Sequence, residues 1–181
     1  MKPPMPDHTT LEDQASVAAI HHDGSTDIDA ALAAFAQRQR QAGRRVLGLL
    51  MTIRPGDSAC GSSMVLTDID SGEQFGVSQA LGRGSTSCSA DPQGFARASR
   101  VLREALERAP DLVICNRYGS LEAENGGFAA ELLVLISHGI PVLTVVSTRH
   151  LAAWQRFVGE APLLPADPRA WDAWLEAVLQ R

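Results

Sequence analysis

Cysteine is scarce in this chain: among 181 residues there are three, Cys60, Cys88 and Cys115. The number is odd and no CxxC pair occurs, which excludes a disulfide framework and a zinc ribbon and fits reduced thiols in a cytosol. Long apolar runs are missing as well. None approaches the roughly 18 residues needed to span a bilayer, and the polar, proline-containing residues 1–13 hold no apolar signal segment. The expected location is therefore cytoplasmic, with no membrane contact. Basic charge is also short. Lys and Arg total 16 against 21 Asp and Glu, a net charge of −5, and the arginines are scattered, so no field is present to hold nucleic acid phosphates. What the chain does have is apolar residues, 45% of the total, enough for an ordinary globular core. The length suits one domain. We expect a flexible tail over residues 1–14 and a single α/β domain over 15–181, with no internal repeat.

The order of elements sets the fold class. Ser16–Ile20 reads as a strand, followed by a turn-rich stretch from His21 to Thr26. Ile28, Ala31, Leu32 and Phe35 then lie at helical spacing, with Thr26 and Asp29 as a capping pair and Gly43 as a stop. Val46–Met51 is a second apolar strand, and strand, helix, strand in this order predicts a parallel pair. Met64–Asp68 and Gln74–Val77 flank a turn and predict a hairpin at a sheet edge. Asp91-Pro92 opens a helix with a buried stripe of Phe95, Ala98, Leu102 and Leu106. Leu112–Cys115 is a buried strand, Phe128–His138 a helix closed by Gly139, and Ile140–Val146 another buried strand. Thr148 is expected to cap a helix through Phe157. Leu163–Leu164 reads as a short last strand, and Asp167-Pro168 opens a terminal helix with Trp171, Trp174, Leu175 and Val178 on one face. Buried strands alternating with amphipathic helices predict a three-layer α/β/α domain with a mostly parallel sheet and an edge hairpin. Ligands of such sheets bind beyond the carboxyl ends of the strands, which nominates the loops 21–27, 82–90 and 116–127.

Each loop has two readings. Arg83, Gly84, Ser85, Thr86 and Ser87 join two donors of different kinds, hydroxyls and a guanidinium, to glycine amides, which suits an oxyanion; the plain reading is a surface loop. Arg117 could clamp an anion and Asn116 orient it, while Asn125, Gly126 and Gly127 allow a close backbone approach. Otherwise Arg117 pairs with Glu122 or Glu124 and the glycines only shape a turn. His21, His22 and Asp23 are metal-capable residue types, but adjacent strand side chains diverge, so a pH-sensitive or hydrogen-bonding loop is the better reading. Cys88 lies in an arginine-containing polar loop with no positioned His beside it. Cys115 reads as core, and the tryptophans Trp154, Trp171 and Trp174 as packing residues.

Asp111–Glu122, followed by Phe128 and the stretch Gly139–Thr144, resembles the second half of the THEP-type P-loop nucleoside-triphosphatases; Gly43–Gly48 and the Ser71-Gly72 hairpin run parallel to the first half. A match over residues 16–164 is closer. Gly82–Cys88, Asn116–Phe128 and Pro141–Thr144 resemble a bacterial family of unknown function described from nitrogen-fixation gene neighbourhoods. The resemblance implies a P-loop-nucleoside-triphosphatase-like fold with a degenerate P-loop. A working P-loop ends in Gly-Lys-Ser/Thr, whose amides, ammonium and hydroxyl hold phosphate and magnesium. The turn at that position here, including Asp23, Gly24, Ser25 and Thr26, has one glycine, no lysine and two carboxylates. Asn116 and Arg117 stand where the THEP-like strand ends in Asp-Glu.

These readings together point to a non-hydrolysing binding or regulatory protein. Its expected ligand is a small oxyanion or phosphorylated compound, and the resemblance ties it to molybdenum or nitrogen-fixation metabolism. The residues select no cofactor and no resident metal. A divergent nucleoside-triphosphatase or phosphotransferase using Arg83 and Arg117 is the first alternative. A protein-interaction module, docking a partner or a second copy on the tryptophan-bearing helix, is the second.

Overall fold

The computed structural model describes residues 16–55, 62–81 and 88–181. The expected tail over 1–14, the residue Cys60 and the anion-loop residues Arg83, Gly84, Ser85, Thr86 and Ser87 lie outside the described residues.

The main sheet has seven strands in the order β4-β3-β2-β7-β8-β1-β9. They are β1 (Val17–His22), β2 (Val46–Pro55), β3 (Ser62–Asp68), β4 (Gln74–Gly76), β7 (Leu112–Tyr118), β8 (Val142–Ser147) and β9 (Leu163–Leu164). β2, β7, β8, β1 and β9 run parallel, and β3 and β4 add an antiparallel edge. A separate two-stranded ladder joins β5 (Ser78–Ala80) to β6 (Cys88–Ala90). The expected parallel α/β sheet with an edge hairpin is thus observed. One detail differs: β1 and β2 are parallel but not neighbours, because β7 and β8 lie between them. A crossover helix dictates strand direction, not adjacency. The continuously apolar β7 and β8 take the central places, where both faces are covered.

Strand alternation sends side chains to two cores. Ala19, Val113 and Cys115 join one cluster, under α2 (Pro92–Glu107), α4 (Ala129–Ser137) and α5 (Leu151–Val158). Ala18, Ile20, Leu112 and Ile114 join the other, under α1 (Ile28–Gln41) and α6 (Pro168–Leu179). Trp171 and Trp174 are buried in the second cluster, Trp171 edge-on to Phe35 and donating through Nε1 to the Pro165 carbonyl. Both indoles are packing residues of this core. Cys115 is a buried free thiol, and burial pushes its pKa well above the ordinary value.

Caps explain the helix starts. Asp91 accepts from the Gln93 amide with Pro92 in the first turn, and Asp167 accepts from the Arg169 amide with Pro168 in the first turn, as expected. Helix α1 corrects its expected cap: Asp27, not Thr26, accepts the Ala30 amide. Thr148 does not cap α5 either. It begins a 3-10 turn, Thr148–His150, ahead of that helix, and its hydroxyl meets His21 Nε2 at 2.8 Å.

Candidate functional site

The parallel strands carry their C-terminal residues to one edge of the sheet. Both β1 and β7 run further than their apolar stretches suggested, so His21 and His22, like Asn116, Arg117 and Tyr118, are strand residues and not loop residues. At this edge lies a cavity of about 480 Å³. Its polar wall is built by His22, Asn116, Arg117, Ser120, Ser147 and His150; its apolar wall by Met51, Ile53, Met64, Phe95, Leu121 and Phe128.

A third element ties the polar wall together. Asp29, in the first turn of α1, accepts from Asn116 Nδ2 at 2.9 Å and from Arg117 Nη2 at 2.7 Å. The alternative reading, in which Arg117 pairs with Glu122 or Glu124, gives way to an Arg117–Asp29 ion pair, with side chains 29% and 17% exposed. Sequence reasoning used Asp29 only as a capping residue. The ladder between β7 and β8 is irregular from Cys115 to Tyr118, and the Asn116–Arg117 peptide is cis.

This clamp leaves hydrogen-bonding capacity unused. Oδ1 of Asn116, Nε of Arg117 and both ring nitrogens of His22 are buried without a partner. Such groups are costly to leave unmade. The Asn116 amide is oriented by its own chemistry: its nitrogen faces a carboxylate, so its oxygen is the atom left over. Burial, and next the Arg117 charge, lower the His22 pKa below its ordinary 6.5. The ring is therefore neutral at pH 7, with one donor and one acceptor nitrogen.

Glu122 also lines the cavity but is occupied. Its carboxylate accepts from the Gly119 and Phe128 amides, each at 3.0 Å, and shapes the turn around the short helix α3 (Ser120–Ala123). Gly127 fits against it at φ +54°, where a Cβ would come within 2.1 Å of Glu122 Oε1. Asn125, at φ 63°, and Gly126, whose amide donates to the Leu121 carbonyl, belong to this same turn and do not line the cavity.

The turn between β1 and α1 stands apart from the cavity wall. Asp23, Gly24, Ser25 and Thr26 are exposed. Asp23 accepts from the Ser25 amide, and the hydrogen bonds from Ser25 hold its carboxyl below the ordinary range. His21 and His22 point apart, the first to Thr148 and the second into the cavity. Among the described residues no cluster of three His, Cys, Asp or Glu could hold a metal ion, and no helix is long and apolar enough to cross a membrane. Sequence reasoning missed Asp29, the cavity roles of His22, Ser120, Ser147 and His150, and the apolar wall. A carboxylate in the first turn after a strand-to-helix loop was the available signal for Asp29.

Comparison with known proteins places this geometry in context. The chain is 35% identical over 147 residues to the molybdenum import ATP-binding protein ModC 2 of Bradyrhizobium diazoefficiens. The aligned part is 81% of this chain but only 16% of that much longer protein. A relative named for ATP binding goes with the P-loop-nucleoside-triphosphatase-like architecture read from the sequence. No solved structure matches. The profile of a family described as protein of unknown function (DUF2478) matches residues 17–174, nearly the whole described domain, and the chain belongs to that family.

Proposed function

We propose that this is a non-hydrolysing binding or regulatory protein whose strand-end cavity takes a small oxyanion or phosphorylated ligand. The observation that carries the reading is the group of buried, unpartnered polar atoms on one cavity wall: Asn116 Oδ1, Arg117 Nε and the His22 ring nitrogens. Arg117 spends Nη2 on Asp29 and still has Nε for a second acceptor. Asn116 Oδ1 asks for a donor, which a protonated oxyanion or a ligand hydroxyl supplies. The relative's role in molybdenum import supports a link to molybdenum metabolism, and nothing in the donor set distinguishes molybdate from phosphate.

Hydrolysis is not part of the proposal. In a P-loop enzyme the amides at the start of the first helix cradle phosphate. Here Asp27 takes the Ala30 amide, and Asp23 and Asp29 add negative charge to the same turn and helix start. No lysine follows the glycine, and Asn116 and Arg117 replace an acidic strand end.

Titration calorimetry with phosphate, molybdate and ATP, with and without magnesium, tests the reading. Losing a charged hydrogen bond costs about 1.5–3 kcal/mol, so Arg117→Ala should weaken anion binding about ten- to a hundredfold. Arg117→Lys should restore part of it, because an ammonium cannot serve two acceptors with a planar fork. Unchanged anion affinity in a folded Arg117→Ala protein removes Arg117 from the site.

A further inference from the structure

The apolar half of the cavity is unexplained by a bare oxyanion. Strand β2 pairs with β7 only from Val46 to Leu49. From Leu50 to Pro55 it is held by β3 alone, as a two-stranded ribbon running past the end of the parallel sheet. Alternation puts Leu49, Met51 and Ile53 on one face, with Met64 opposite Ile53 in register. Along that face exposure rises from 0% at Leu49 to 52% at Ile53. Met51, Ile53 and Met64 all line the cavity, facing Phe95 and Phe128, whose ring centroids are 5.2 Å apart. Met51 and Met64 rest on the edge of the core, and Ile53, beyond them, is an apolar residue outside both core clusters among the described residues.

Size makes the same point. A tetrahedral oxyanion takes the room of roughly two or three waters, at ~30 Å³ each. In a cavity of about 480 Å³ it would leave most of the volume as water against thioether, aliphatic and aromatic walls, which is unfavourable. Ligand sites of this size are mostly apolar with a few fixed polar groups. Methionines suit a wall that must adapt to a ligand's shape.

We infer that the ligand is an organic anion with a flat apolar body, of the aryl phosphate class, and not an inorganic oxyanion. An anionic oxygen of its head accepts from Arg117 Nε, and a protonated oxygen of the phosphate monoanion donates to Asn116 Oδ1. The body lies between the Met51–Ile53–Met64 face of the ribbon and the Phe95–Phe128 pair. This inference rests on the proposed anion site and adds the class of molecule that fills it.

Calorimetry on the full chain with inorganic phosphate, phenyl phosphate and benzyl alcohol decides it. Phenyl phosphate should bind about tenfold or more tighter than inorganic phosphate, because the ring's apolar surface leaves water. Ile53→Ser should shrink that ratio at least about threefold. Leu133→Ser, at an exposed apolar residue of α4 outside the cavity, should leave it intact. Methyl NMR needs no variant: phenyl phosphate should shift the Met51 and Met64 methyls through its ring current, and inorganic phosphate should not. Equal affinities for the two phosphates, or a ratio and methyl shifts that ignore the ribbon, overturn the inference and leave the anion site standing. Benzyl alcohol binding as tightly as phenyl phosphate overturns the anion site and the organic-anion class with it. Binding of none of the three probes overturns both.

Discussion

On the proposed reading, the Arg117 side chain serves fold and site together. Its guanidinium holds Asp29 across the start of α1, so Arg117→Ala is expected to cost some stability as well as anion affinity. A pair 29% and 17% exposed lies between the surface case, at most about 1 kcal/mol, and the fully buried one. Ligand affinity must therefore be measured where the variant is folded. His22 offers a second test at this scale. Its pKa is lowered by burial and by Arg117, against the opposing pull of Asp29 and Asp23. Native protein keeps the ring neutral, while the unfolded chain protonates it near 6.5. The unfolded state thus binds more protons below that pH, so His22 contributes stability that is complete above pH 6.5 and is lost as pH falls through the lowered native pKa. Melting temperature measured from pH 7.5 down to pH 5 should fall more steeply in the native protein than in His22→Gln. Parallel curves would show that the ring gains a proton as freely folded as unfolded.

Among the elements, α1 carries the sharpest disagreement between pattern and structure. Thr26 and Asp27 are adjacent, and both are good capping types. Only Asp27 accepts the Ala30 amide. Asp27→Ala should destabilise the protein by about 1 kcal/mol, read as a shifted urea midpoint, while Thr26→Ala should move it little. The reverse ranking would return the cap to Thr26. Strand β2 depends on Gly48 in a different way. At φ +114° a Cβ there would come within 2.0 Å of the Ile114 carbonyl oxygen, so only glycine lets β2 and β7 approach at that point. Just beyond this close approach, β2 leaves β7 and becomes the ribbon that roofs the cavity.

The whole molecule has the layers of a mostly parallel α/β domain, with a cavity at the carboxyl ends of the sheet. The proposed anion site lies at the end of β7, away from the strand-to-helix turn where a P-loop would sit. Magnesium-dependent hydrolysis of ATP or GTP should accordingly be negligible. A phosphate-release assay giving turnover near ~1 per second, at the low end for enzymes, and abolished by Arg117→Ala would overturn this.

Local chemistry was enough to read the layers. Apolar stretches such as Val142–Val146 announce strands buried on both faces, Asp91-Pro92 and Asp167-Pro168 announce helix starts, and the Ser71-Gly72 turn announces the edge hairpin. Asn116 and Arg117 were legible as polar residues directly after an apolar strand, and Glu122 as a residue of the loop that follows; His22 was legible only as part of a polar turn, not as a cavity residue. Their partners were not legible. Asp29 is 88 residues from Arg117, and Glu122 reaches amides on both sides of its own turn instead of the nearby cation. Sequence spacing measures distance along the chain, whereas a charge chooses its partner by distance in space and by which donors burial leaves unsatisfied. The order of the strands, the Arg117–Asp29 clamp and the apolar ribbon over the cavity were decided only when β7 and β8 packed between β1 and β2.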